Sequence, residues 1–372
     1  MKKIYNFITK YKKEIIVILI LIIISIGIYY FYYREHFISE GFFNTTTPII
    51  VPEWTQLGQD IDGEAADDRS GYSVSLSSDG KIVAIGAILN DGGGSNSGNV
   101  RVYQYNEDDI NNRKWEQLGQ DIDGKAAGDF SGESVSLSSD GKIVAIGARF
   151  NNNDGGNNSG HVRVFKCNED DINNRKWEQL GQDIDGESRD DWSGMSVSLS
   201  SDGTIVAIGA ILNNGGGDKS GHVRVFKLEE TGIENEKKWE QLGQDIDGKA
   251  AGDQSGWSVS LSSDGKIVAI GAPYNEDGGA NSGHVRVFKY NENDINNRKW
   301  EQLGQDIDGK AAGDQSGYSV SLSSDGKIVA IGSIWNDDGD NSGHVRVFKL
   351  EETGIENEKK WEQLGQDIDG EA

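Results

Sequence analysis

Trp54, Trp115, Trp177, Trp239, Trp300 and Trp361 fall 61, 62, 62, 61 and 61 residues apart, and each is followed, one position further on, by Gln-Leu-Gly-Gln-Asp-Ile-Asp-Gly. A chain that repeats itself this closely folds as copies of one unit, each stacked on the next, because a single short unit cannot bury its own apolar face. Within the last period four strands are expected, at residues Ser319–Ser323, Lys327–Gly332, His344–Lys349 and Trp361–Ile368, each bounded by Gly, Asp, Asn or Ser. The first alternates, with Val320 and Leu322 on one face and serines on the other. The second, Ile328-Val329-Ala330-Ile331, is apolar on both faces and must be covered on both. Four-stranded sheets sandwiched between copies of themselves meet that demand. Radial repetition of such sheets is a β-propeller, here with five blades over about residues 70–370. No segment beyond residue 34 carries a helical apolar stripe, which excludes a helical solenoid.

The motifs of the repeat resemble those of the FG-GAP repeat, the unit of the integrin α-chain N-terminal propeller. The resemblance rests on Gly-x-Ser-Val at Gly317–Val320, Asp325-Gly326, Gly271-Ala272-Pro273 and Gly-x-Val-x-Val-Phe at Gly283–Phe288, and it covers about residues 54–372. Two departures stand out. The full Gly-Ala-Pro occurs in the fourth repeat alone, and the Phe of the family's Phe-Gly is Ser throughout, as in Ser316-Gly317. The resemblance implies an all-β propeller that presents ligands on one face, with calcium, where bound, held in the first hairpin of a blade.

That hairpin offers one carboxylate per blade, at Asp79, Asp140, Asp202, Asp264 and Asp325. A hard cation takes six to eight oxygens, so the Ser-Asp-Gly segment is expected to be a tight turn and no cofactor is expected there. The Asp-x-Asp-Gly connections, such as Asp306-Ile307-Asp308-Gly309, are read as turns between blades, with calcium as the weaker alternative. His161, His222, His284 and His344 occupy one repeat position, where the first repeat has Asn99. Equivalent positions in neighbouring blades lie roughly 15–20 Å apart on the third strand. A zinc–nitrogen bond is about 2 Å, so the four cannot share an ion and are read as structural or solvated.

The remaining expectations concern the two ends of the chain and its partners. Residues 1–14 form a basic tail. Ile15 to Tyr33 is an apolar run of nineteen residues, roughly 28 Å as a helix, which matches a hydrocarbon core. Lysines precede it and four tyrosines crowd its far end, as for a retained signal-anchor that leaves the N-terminus cytoplasmic and the rest extracellular or luminal, or on a virion surface. This is a single-pass type II arrangement with the lipid bilayer as one partner. Residues 34–53 read as a stalk, and 54–372 as the propeller. Asn44 and Asn157 head glycosylation sequons. Cys167 is the single cysteine, so no intrachain disulfide forms. With 61 acidic against 36 basic residues the chain repels phosphate backbones, and nucleic acid is excluded as a partner.

The repeats differ most in the loop between strands two and three and around the Ser-Gly before strand one, which share one face of a blade. Tyr72, Phe130, Trp192, Trp257, Tyr274, Tyr318 and Trp335 collect there, and aromatics on loops of a rigid scaffold suit a binding surface for a protein or glycan. The symmetry-breaking residues Cys167, Met195, Pro273 and Trp335 form no nucleophile–base set. The expectation is therefore a membrane-anchored, non-catalytic binding or adhesion module. A structural surface or envelope protein without a discrete ligand is the contrasting reading, and a hydrolase using the central depression a third. Trp54–Ile61 is expected to pair with the last blade and close the ring, although the chain's end in Asp-Ile-Asp-Gly-Glu-Ala, the opening of another repeat, leaves closure with five blades undecided.

Overall fold

A computed structural model describes residues 54–107, 113–168, 175–233, 236–292, 299–335, 342–352 and 359–370. The basic tail, Ile15–Tyr33, the stalk and Asn44 lie outside the described residues. Among those described, no helix is long and apolar enough to cross a membrane.

Five antiparallel sheets follow one another along the chain, each of four strands with a two-residue fifth strand beside them. In the third blade the order is Ser193–Leu199, Ile205–Ala210, His222–Glu230 and Lys237–Gln241, with Ile246–Asp247 pairing the start of the third strand. The expected outermost strand is thus two pieces. Gln241 ends the pairing with Phe226, and the chain bends through Gly243, at φ +81°, before Ile246 rejoins the same strand opposite Val223. The bend places Asp247 directly opposite His222.

The inner strands contact one another in succession from the first blade to the fifth, in a β-propeller-like array. Four apolar cores fill the spaces between successive blades; the one between the third and fourth unites Ile205, Val223, Val225 and Ile246 with Val268, Ile270, Phe288 and Trp300. The two-sided apolarity of the second strand is thereby satisfied, and Ile205–Ala210 is buried along its whole length. Glycine permits the approach. A Cβ on Gly209 would lie 2.0 Å from the Gly256 carbonyl oxygen of the next blade. The Ser196 hydroxyl donates to that same carbonyl (2.7 Å), the Leu261 amide to the Ser198 hydroxyl (3.0 Å), and the Trp300 indole N–H to the Leu242 carbonyl (2.7 Å). Cys167 is buried opposite Trp177, a place that Leu228 and Tyr290 take beside Trp239 and Trp300.

The Ser-Asp-Gly segments are turns. Asp79 accepts from the Ser77 hydroxyl (2.7 Å) and the Lys81 amide (3.0 Å), and Gly80 sits at φ +72°. The turns are stitched to one another through backbone bonds from Ser78 to Ser139, Ser139 to Ser201, Ser201 to Ser263 and Ser263 to Ser324.

The expected closure by Trp54–Ile61 is corrected. That segment docks on the first blade, with the Leu57 carbonyl accepting from the Trp115 indole (2.7 Å) and the Asp62 carbonyl from Arg101 (2.7 Å), while Trp54 is fully exposed. The reason is local: in every repeat this segment serves the blade that follows it, as Leu180 serves Trp239. The two ends of the array are accordingly bare. Val74 and Leu76 of the first blade are 65% and 57% exposed where Val197 and Leu199 of the third are 9% and 7%. In the fifth, Ile328–Ser333 alternates between buried and open positions.

Two measurements check this architecture. Gly209→Ala drives a methyl into backbone and is expected to cost more than about 2 kcal/mol. Gly332→Ala meets only the Ser319 side chain and should cost well under half of that; equal losses in urea melts would mean that the fifth blade is covered. His284 is fully buried, and its pKa is lowered to about 4, by burial first and the Arg286 charge second. The unfolded chain then takes up the proton first as pH falls. The stability this histidine contributes is complete above its ordinary value of 6.5 and is lost as pH falls towards the folded value. By about pH 5 the loss is about 2 kcal/mol. Wild type should therefore lose about that much more than His284→Asn between neutral pH and about pH 5, and equal losses would contradict the assignment.

Candidate functional site

One repeat position, immediately before the Ser-Val of the inner strand, holds Tyr72, Glu133, Met195, Trp257 and Tyr318. Three residues earlier the chain turns through a left-handed residue in every blade, Arg69, Phe130, Trp192, Gln254 and Gln315, with φ between 52° and 59°. Because all five repeats share it, this strain belongs to the turn and not to any one blade's chemistry. The turn brings the residue before Ser-Val to the axis, where side chains from different blades meet.

Glu133 is the centre of what meets there. Its side chain is 1% exposed. Its Oε1 accepts from the Tyr72 hydroxyl of the first blade (3.1 Å) and lies 3.3 Å from Arg149 Nη1, while its Oε2 has no protein partner. Arg149 Nε is likewise buried without a protein partner. The guanidinium lies over the rings of Phe150 (4.6 Å) and Trp192 (5.0 Å), and Nη1 points at the Met195 sulfur (3.0 Å). Burial raises the Glu133 carboxyl above its ordinary range; the Arg149 charge and the Tyr72 hydrogen bond oppose this without cancelling it. Burial also raises the Tyr72 hydroxyl, with the Glu133 charge as the next cause and Tyr318 among the smaller ones. A buried acid and a half-buried cation, each with one buried polar atom unsatisfied, form an arrangement that a bound polar molecule would complete.

The aromatic residues singled out in the sequence form two clusters, and Trp192 of the first lies against Arg149. Phe130, Phe150 and Trp192 form an edge-to-face series with centroids 5.2 Å apart. Trp257 packs on Tyr274 (5.7 Å) and Tyr318 (5.2 Å). Tyr72 and Tyr318 are 49% and 37% exposed. Trp335 is exposed and makes no ring contact among the described residues. Asn157 is exposed in its loop.

Sequence reasoning missed Glu133 and Arg149 as a pair. The signal was present: the second repeat alone places a carboxylate where the others have aromatic rings or Met, and a guanidinium where they have Ile88, Ile211, Pro273 and Ile334. Nor did it foresee the histidines' surroundings. They are buried, not solvated, and each of the four lies with two carboxylates close by, as in His161 with Asp183 and Asp185. Distances between blades had been the wrong ones to weigh, since the aspartates come from the same sheet or its immediate neighbour.

Comparisons with known proteins bear on the fold and the family. No curated protein matches this chain in sequence. Similar solved structures include one described as a candidate 6-phosphogluconolactonase from Bacteroides uniformis, at 14% identity and a TM-score of 0.46, covering 81% of this chain and 85% of that one. They include the periplasmic gluconolactonase PpgL of Pseudomonas aeruginosa, at 17% identity and 0.45, covering 79% and 71%. Kluyveromyces lactis Hsv2 aligns at 13% identity and 0.45, covering 77% and 70%. The expected non-catalytic adhesion module finds no counterpart among these structures, two of which are named as lactonases. The FG-GAP repeat model matches residues 61–103, 247–288 and 308–348, and the chain carries FG-GAP repeats over its first, fourth and fifth blades.

Proposed function

We propose that the axial mouth is a hydrolytic site for a carboxylic ester or lactone of a sugar-like ring. The observation that carries this reading is Glu133, a buried carboxyl with a raised pKa and a free Oε2, set against the guanidinium of Arg149. A general base is most effective when its pKa lies near the working pH, and burial moves Glu133 in that direction. Ionised Glu133 takes a proton from water as the water oxygen attacks the carbonyl carbon. Arg149 and the Tyr72 hydroxyl donate to the oxyanion that forms. Collapse breaks the acyl–oxygen bond, and Glu133 returns the proton to the departing alcohol, which in a lactone stays attached to the opened chain. Trp192, Trp257 and Tyr318 offer flat faces on which a pyranose-like ring packs.

Glycoside hydrolysis suits the mouth less well. It uses two carboxyl groups flanking the bond, and of the five equivalent axial positions only Glu133 is acidic. The apolar run Ile15–Tyr33 and the lysines before it support a bilayer anchor that holds the blades on the extracellular or luminal side. The bare faces of the first and fifth blades support an open arc of a propeller over a closed ring.

Purified full-length chain in detergent micelles, assayed against aryl esters, sugar lactones and aryl glycosides, tests the reading. Hydrolysis of esters or lactones is expected, falling at least about 100-fold in Glu133→Gln with unchanged thermal melting. Because the working form is the carboxylate, the rate should fall as pH drops through the raised pKa of Glu133, above the ordinary glutamate value. Tyr72→Phe should cost roughly tenfold. Turnover that survives Glu133→Gln, or is confined to glycosides, would contradict the assignment.

A further inference from the structure

In three blades the carboxylates beside the buried histidine are covered by a lysine. Lys125 bonds Asp183 (2.6 Å), Lys249 bonds Asp277 (2.6 Å) and Asp306 (2.7 Å), and Lys310 bonds Asp367. These lysines occupy one repeat position, directly after Asp-x-Asp-Gly of the preceding repeat. In the third blade that position is Glu187. The substitution replaces the covering cation with another anion. Glu187, His222 and Asp245 bring one ligand atom each to within 4.8 Å of one another, and among the described residues no lysine pairs with Asp245.

Buried polar atoms here lack protein partners, as they do beside the other histidines. His222 is 1% exposed, and neither ring nitrogen has a protein hydrogen-bond partner. Asp247, opposite His222 in the strand pairing, has a buried Oδ1 without a partner. That oxygen faces bare backbone, for a Cβ on Gly215 would lie 2.3 Å from it, in the loop position where the fourth blade has Asp277. Asp245 is oriented by Gln241, whose amide donates to its Oδ1 (2.7 Å), leaving the second oxygen for another contact. The cation that does face the group is Arg224. Its Nη1 lies 3.5 Å from Glu187 Oε1, but its Nη2 is committed to the Asp185 carbonyl (2.6 Å) and its guanidinium lies over the Phe226 ring.

We propose that Glu187, His222 and Asp245 bind one divalent transition-metal cation of the zinc type, in the place a lysine ammonium fills in the neighbouring blades. The donor set decides the class. An imidazole nitrogen with two carboxylates suits zinc and its neighbours, whereas calcium takes oxygen donors and more of them. Ligand atoms around zinc stand ~3.4 Å apart, given bonds of about 2.1 Å, a spacing that small side-chain rotations reach from the present one. The first blade also lacks the lysine, with Glu64 in its place, but there Asn99 replaces the histidine and the nitrogen donor is lost.

Zinc chloride titrated calorimetrically into the full-length chain in detergent, after chelator treatment, tests this. One site per chain of micromolar or tighter affinity is expected, with a raised melting temperature in zinc. Glu187→Lys, which installs the residue the chain already uses at this position three times, should fold normally and weaken binding at least about 30-fold. His222→Asn, which installs the amide that the first blade carries at Asn99, should do the same. No saturable zinc binding would overturn the proposal. So would four equivalent sites, binding untouched by Glu187→Lys, or a preference for calcium over zinc.

Discussion

The contact on which the array depends is the approach of a second-strand glycine to a backbone carbonyl of the next blade. Gly86, Gly147, Gly209 and Gly271 each lie where a Cβ would stand 2.0–2.2 Å from the carbonyl of Gly132, Gly194, Gly256 or Gly317. At that separation the inner strands of two blades share serine hydroxyls and the branched side chains of adjacent sheets form one buried core. The accepting glycines are themselves constrained, at φ near +90°, because the turn that precedes them reverses the chain in a left-handed conformation. Burial of the second strand on both faces, the docking of each tryptophan under the previous Leu-Gly and the succession of Ser-Asp-Gly turns all assume this spacing. Gly332 has no such neighbour, and the apolar faces next to it are open.

A scaffold so regular offers the same chemistry in each blade, and function must come from the departures. Two kinds are present. At the axis, charges appear in the second blade alone, and their burial gives them unusual properties: Glu133 holds its proton more tightly than an ordinary glutamate yet keeps a guanidinium at 3.3 Å. Further out, a single exchange of lysine for Glu187 turns a neutralised cluster into an anionic one around a neutral imidazole. The burial that lowers the His222 pKa to about 4 also keeps that imidazole in the form able to bind a metal.

Much of the fold was legible because period and apolarity act locally. The five sheets and the turns at Asp79 and its equivalents follow from residues within one repeat. Ring closure was not, because it depends on which blade the segment Leu57–Asp62 serves, and that choice is made by contacts 39 to 58 residues away. Of the aromatics in the variable loops, Phe130 and Trp192 pack against Phe150, and Trp257 against Tyr274 and Tyr318. Glu133 was passed over because its partner Arg149 lies on another strand and Tyr72 on another blade. Aligning the repeats against one another, position by position, isolates both charges.

The proposed chemistry requires the fold to hold Glu133 as an acid of raised pKa beside an arginine. Carbon-13 NMR titration of the glutamate side-chain carboxyls, with Glu133 identified by its absence from Glu133→Gln, measures this directly. The Glu133 carboxyl is expected to titrate above the ordinary glutamate value and to move higher still in Arg149→Met, where the opposing charge is gone. A Glu133 that titrates at or below the ordinary value would contradict it.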